Sequence, residues 1–156
     1  MLTFTEPSTK AEIQETFALM VQLRPDLAPD SYVCKVSSLM RAEGYRLAGL
    51  RSDGRLVALA GYRYLTMLYA GKTLFIDDLV VDAQHRGTGF GGQLLWWLEA
   101  RARQENCVQL HLISRVARER AHRFYFSHNY GIECFHFRRN VRAAPTGAPP
   151  GPEFAG

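Results

Sequence analysis

The feature that most constrains this chain is one continuous stretch, Leu74-Phe-Ile-Asp-Asp-Leu-Val-Val-Asp-Ala-Gln-His-Arg-Gly-Thr-Gly-Phe-Gly-Gly-Gln-Leu-Leu95. A β-branched apolar run, Leu74 to Val81, is broken by Asp77 and Asp78. A turn with Gly87, Gly89, Gly91 and Gly92 follows, and then a helical pattern. Glycines at a helix start let backbone N–H groups face outward with no Cβ in the way. Free donors and the positive end of the helix dipole then form an anion site. The stretch predicts strand, phosphate-cradling turn and helix, with Arg86, Gly87, Thr88, Gly89, Phe90, Gly91 and Gly92 supplying the cradle.

The rest of the chain must supply a core for this unit. At 156 residues, 47% apolar and 22% charged, residues 1–142 fit one globular domain. Residues 143–156, almost all Ala, Pro and Gly, cannot bury enough to order themselves and are expected to be disordered. No apolar run approaches the ~20 residues of a membrane span, and the N-terminus lacks a signal-peptide pattern. Cys34, Cys107 and Cys134 are odd in number without metal-like spacing, which predicts reduced thiols in a cytoplasmic protein, with Cys107 and Cys134 buried. His85, His111, His122, His128 and His136 show no ligand spacing either, and no metal is expected. The net charge of +4 is mild, so the arginines of residues 115–142 read as a solvated face rather than a nucleic-acid site.

In chain order, Thr9 or Ser8 caps a helix through Ile13, Phe17 and Met20, and Ser31 caps a second that ends at Gly44. Strands follow at 45–50, 56–68 and 73–82, joined by the Asp53-Gly54 hairpin signal and a turn at Gly71, with Gly61 marking a bulge. A helix through Leu94, Leu95 and Leu98 turns Trp96 outward. Residues 108–114 form a strand parallel to 73–82. A helix over 116–128 ends at Asn129, and Ile132 to Arg139 alternate as a last strand. The fold class is α/β (α+β): a mixed, mostly antiparallel sheet with helices on both faces, in the order α-α-β-β-β-α-β-α-β.

Gly87-x-Gly89-x-x-Gly92 formally meets a dinucleotide-binding pattern, but antiparallel hairpins precede it and no acidic residue follows at the required place. A P-loop fails for want of Gly-Lys-Ser/Thr. Arg86-x-x-Gly89-x-Gly91, by contrast, resembles the acyl-CoA-binding motif of the Gcn5-related N-acetyltransferase (GNAT) superfamily. Ala121-His-Arg-Phe124-Tyr125, followed by Asn129-Tyr130, resembles that superfamily's second signature, and the element order is similar to its topology. Arg118 stands where relatives often carry Asn, and Asn129 where they carry Gly.

The resemblance implies an N-acetyltransferase using acetyl-CoA on a primary amine by direct attack in a ternary complex. The acceptor is a small molecule (polyamine, amino acid or aminoglycoside) or a peptide. The pyrophosphate would sit on the amides of Arg86 to Gly92, the pantetheine arm would pair with Leu79, Val80 and Val81, and an N–H near Val80 would face the oxyanion. Tyr125 matches the general acid. Strand alternation puts Asp77 and Asp78 on opposite sides; by resemblance to polyamine-acetylating relatives, Asp77 is the base and Asp78 an amine-binding or structural carboxylate. Relatives are often dimers, which admits a homodimer here. A CoA-binding module of the same fold without turnover is the alternative.

Overall fold

The structure, a computed structural model, describes residues 1–141. Five strands lie side by side in chain order: β1 (Leu2–Thr5), β2 (Arg46–Ser52), β3 (Arg55–Met67), β4 (Gly71–Val81) and β5 (Gln109–Leu112). Each of the first four runs antiparallel to its neighbour, and β5 runs parallel to β4. The helices are α1 (Lys10–Leu23), α2 (Pro29–Glu43), α3 (Phe90–Gln104) and α4 (Glu119–Ser127).

The central strands β2, β3 and β4 carry buried residues on both faces, alternating between two cores. Leu47, Leu59 and Val80 face α1 and α2, where Ile13, Leu19, Met20, Tyr32 and Val36 meet them. Ala48, Ala58, Ala60, Tyr62, Leu74 and Ile76 face the opposite side, against Leu94, Leu95 and Leu98 of α3. Each fully buried leucine there contributes about 1.5–3 kcal/mol relative to exposure. This fixes α3 across the sheet and its N-terminus beside the end of β4.

Local signals act mostly as expected. Thr9 accepts from the Glu12 N–H while Glu12 accepts from Thr9 and Ser8, a capping box. The Ser8 and Thr9 amides hold the Glu12 carboxyl down to about 2. Asp53 and Gly54 both take positive φ in the β2–β3 turn, and Gly44, Asn106 and Asn129 do so where helices end.

The sheet class stands, with two strands differing from expectation. β1 was not foreseen: it is four residues long and, among the described residues, pairs with β2 alone. Ile132 to Arg139, expected as a strand, pair with nothing among the described residues, so α4 is the last element. The cap of α2 also differs. Pro29, with φ pre-set and no N–H to lose, takes N1, so Ala28 is the N-cap and Ser31 lies a turn inside. Cys34 and Cys134 are exposed and Cys107 is half-buried, which corrects the expectation of burial for Cys134. Trp96 points outward at 63% exposure, as the helical period requires. The expected tail, 143–156, lies outside the described residues. Among the described residues no helix is long and apolar enough to cross a membrane.

Candidate active site

The site begins where the sheet comes apart. β5 pairs with β4 only from Thr73 to Ile76, opposite Gln109 to Leu112. Beyond Ile76, β4 continues to Val81 paired on its β3 side alone. The Asp82 N–H bonds Val57 O, which sets the alternation of this antiparallel ladder. Val80 therefore aims its N–H and C=O at Leu59, while those of Leu79 and Val81 point into the gap. The donors facing the gap are thus the neighbours of Val80, not Val80 itself.

At the end of β4 the chain passes Asp82 and a short 3-10 turn, Ala83–His85, into the glycine turn. The Asp82 carboxylate is held below its ordinary range chiefly by the Gln84 N–H, aided by Arg55. Gly87 and Gly89 have φ of 84° and 89°, and Gly89 is the N-cap of α3. Among the described residues no side chain caps that helix. The first amide in the turn to bond backward is Gln93, to Gly89 O; those of Phe90, Gly91 and Gly92 have no partner among the described residues. Three amides and a helix dipole thus converge on one point beside the gap, which suits a diphosphate. A Cβ on Gly91 would lie 3.1 Å from Phe124 and 3.2 Å from Val81, so this glycine lets α4 close against α3 and β4.

The two carboxylates lie on β4 itself, directly after its last pair with β5 at Ile76. Gly61 pairs with Asp78 but Tyr62 pairs with Ile76, leaving Asp77 as an extra residue in β4. This bulge overturns the alternation. Asp77 and Asp78 both turn to the α1/α2 face. Arg63 grips Asp77 with two bonds, Nη2 to Oδ1 at 2.6 Å and Nε to Oδ2 at 2.8 Å. Arg24, at the end of α1, donates to Asp78 Oδ1 at 2.8 Å and to the Asp77 carbonyl at 3.1 Å. The Tyr45 hydroxyl donates to Asp78 Oδ2 at 2.8 Å. Burial first, and then the Asp78 charge, push the Tyr45 phenol far above its ordinary value. None of Arg24, Tyr45 and Arg63 was singled out from sequence. The signal was faint: an Arg two residues after Gly61 is a cation beside a carboxylate only once the hairpin register is known.

Tyr125 approaches from the α3 face. Its ring meets Phe124 at 5.4 Å and Tyr130 at 5.7 Å. Burial raises its phenol, opposed by the charge of Arg118. Asp77 and Tyr125 therefore stand on opposite faces of the sheet. Among the described residues no cluster of three or more His, Cys, Asp or Glu could hold a metal ion.

Residues 12–130 match the acetyltransferase (GNAT) family. The chain belongs to that family. It is 30% identical over 142 residues to an uncharacterized N-acetyltransferase, YhdJ, of Bacillus subtilis, covering 90% of this chain and all of that one. It is 39% identical over 95 residues to an aminoalkylphosphonate N-acetyltransferase of Salmonella typhimurium, 61% of each chain. Among solved structures, aminoglycoside N-acetyltransferase AAC(6')-Iy in complex with CoA superposes with a TM-score of 0.78 over 90% of this chain and 95% of that one. At 14% identity that likeness shows the GNAT fold alone. This GNAT protein is thus an acyl-transferring enzyme by family.

Proposed function

We propose that this protein is an acetyl-CoA-dependent N-acetyltransferase that acetylates the primary amine of a small aminoalkyl acid by direct attack in a ternary complex. The observation that carries the reading is the set of uncapped amides at the start of α3, opening onto the part of β4 that β5 leaves unpaired. The diphosphate rests on Phe90 to Gly92, and the amide-bearing arm pairs with Leu79 and Val81 as an added strand. One of these two amides then faces the thioester oxygen and stabilises the charge that develops there.

The acceptor enters from the α1/α2 face. Alkylamines near ~10 arrive protonated and must lose a proton before attack. Each Asp77 oxygen takes one bond from Arg63 and keeps a lone pair, so Asp77 receives that proton through a bridging water. Asp78, held by Arg24 and Tyr45, draws in the ammonium group. The nitrogen attacks the carbonyl carbon, the tetrahedral intermediate collapses, and the thiolate leaves with the Tyr125 proton. The extra proton on the new amide nitrogen passes to water, from which the Tyr125 phenolate regains one. Arg24, half-exposed at the mouth, faces the acid group of the acceptor. This pairing of cation and anion supports a zwitterionic acceptor, the chemistry named for the aminoalkylphosphonate relative.

A thiol-release assay against an aminoalkylphosphonate, an amino acid, a polyamine, an aminoglycoside and a peptide tests the reading. The aminoalkyl acids should give the highest kcat/KM, and Arg24→Ala should remove that preference. Acetyl-CoA binding without thiol release from any amine overturns the enzyme reading. Turnover led by the polyamine overturns the acceptor class alone.

A further inference from the structure

The stretch of β4 that β5 leaves unpaired is fastened at both ends by one element, the last turn of α1. Arg24 donates through Nη2 to the Asp77 carbonyl at 3.1 Å and through Nε to Asp78 Oδ1 at 2.8 Å. Gln22, two residues earlier, accepts from the Ala83 N–H through Oε1 at 2.9 Å. Ala83 opens the 3-10 turn that leads into the glycine turn. The same helix end therefore touches the acidic pair and the approach to the amide cradle.

Residues two apart on a running helix point about 200° apart. Here the helix does not run on. Pro25 bars the helical conformation at Arg24, which caps α1 with φ −122° and ψ 74°. Arg24 can then reach back to the acidic pair while Gln22 reaches forward to the phosphate turn. Gln22 is exposed, so burial does not explain its contact. The turn also has order to gain from an anion, since among the described residues the amides of Phe90, Gly91 and Gly92 have no partner.

We propose that Gln22 is a positioning residue that couples the two ligand sites: a diphosphate settles the glycine turn, the Ala83–Gln22 bond then fixes the end of α1, and Arg24 is set against the acid group of the acceptor. The inference rests on the donor and acceptor sites of the proposed function and adds the element that links them. Such coupling is reciprocal, so an acceptor held by Arg24 tightens CoA binding by the same factor.

Calorimetric titration of an aminoalkylphosphonate into the full chain, alone and saturated with CoA, tests it; CoA carries no acetyl group to transfer. CoA should tighten acceptor binding at least about fivefold. Gln22→Met, which removes the accepting oxygen at similar length, should abolish that gain and leave the affinity for each ligand alone unchanged. Coupling that survives in Gln22→Met overturns the proposal, as does a wild-type chain without coupling. A loss of affinity for the acceptor alone would also overturn it, reducing Gln22 to a structural contact. Amide hydrogen exchange with CoA alone keeps the test independent of the acceptor. Protection over 20–24 should rise in the wild-type chain and stay unchanged in Gln22→Met. An aminoalkylphosphonate that binds in neither state would refute the acceptor class, and the exchange result then decides the coupling: an equal rise in both chains, or none in either, overturns it.

Discussion

Gly61→Ala probes the packing that gathers the acidic pair. A Cβ at position 61 would lie 2.7 Å from Tyr45 Cε2, and nearer still to Cζ and the hydroxyl. The ring has little room to yield: Tyr45 is 6% exposed and its hydroxyl bonds Asp78. Overpacking a filled core costs roughly 1–3 kcal/mol. Displacing a hydrogen bond to a charged group adds about 1.5–3 kcal/mol. Together these give roughly 2.5–6 kcal/mol. For a chain of this size that lowers Tm by at least about 5 °C. Calorimetry reads the stability loss, and acceptor kcat/KM should fall with it while acetyl-CoA affinity holds. The clash needs both the Cβ and the ring, so Gly61→Ala with Tyr45→Ala should be less destabilised than the sum of the two single changes. A Tm unchanged within about 1 °C for Gly61→Ala, against the shift expected from size scaling, or strict additivity in the double variant, would refute the reasoning.

Other consequences follow from the same geometry. Tyr125→Phe should lower kcat by on the order of 10²-fold or more, with acetyl-CoA affinity by calorimetry unchanged; a parallel loss of affinity would assign the residue to binding. Asp77→Asn should cut acceptor kcat/KM by a similar order while sparing acetyl-CoA binding, and unaltered rates would remove Asp77 from proton transfer. Gly89→Val forces a β-branched residue to a φ of 89°, at a cost of order 1–3 kcal/mol. It should weaken acetyl-CoA binding at least about tenfold in a protein that still folds by circular dichroism; intact affinity would empty the amide cradle of its role. Tyr32, Tyr45, Tyr62, Tyr64, Tyr125 and Tyr130 all have phenols raised principally by burial. Unfolded tyrosines ionise near ~10, so above that pH the unfolded chain releases protons that the native state keeps. The stability these residues contribute is complete below about pH 10 and falls as pH rises further; urea melts across that range should show it, and a flat profile would contradict the burial.

What the sequence disclosed and what it hid divide along one physical line. Signals confined to a few neighbouring residues were readable: the Thr9 capping box, the Asp53-Gly54 turn, the glycine turn at 87–92, and the period that buries Leu94, Leu95 and Leu98 while exposing Trp96. The side on which Asp77 and Asp78 stand was not readable, although Gly61 hinted at a bulge. That side depends on which strand carries the extra residue, and therefore on Tyr45 filling the space above Gly61 from the far end of α2. The partners Arg24 and Arg63 lie 54 and 14 residues from the carboxylates they bind, a separation that no helical or strand period spans. The same logic accounts for β1 and for residues 132–139. A short strand exists only when an edge accepts it, since an isolated one is marginal in water; β2 holds Leu2–Thr5 in this way, whereas 132–139 pair with no strand among the described residues. Strand pattern in the sequence is thus a statement of capacity, and pairing along a particular edge, a property of the whole folded chain, decides whether that capacity is used.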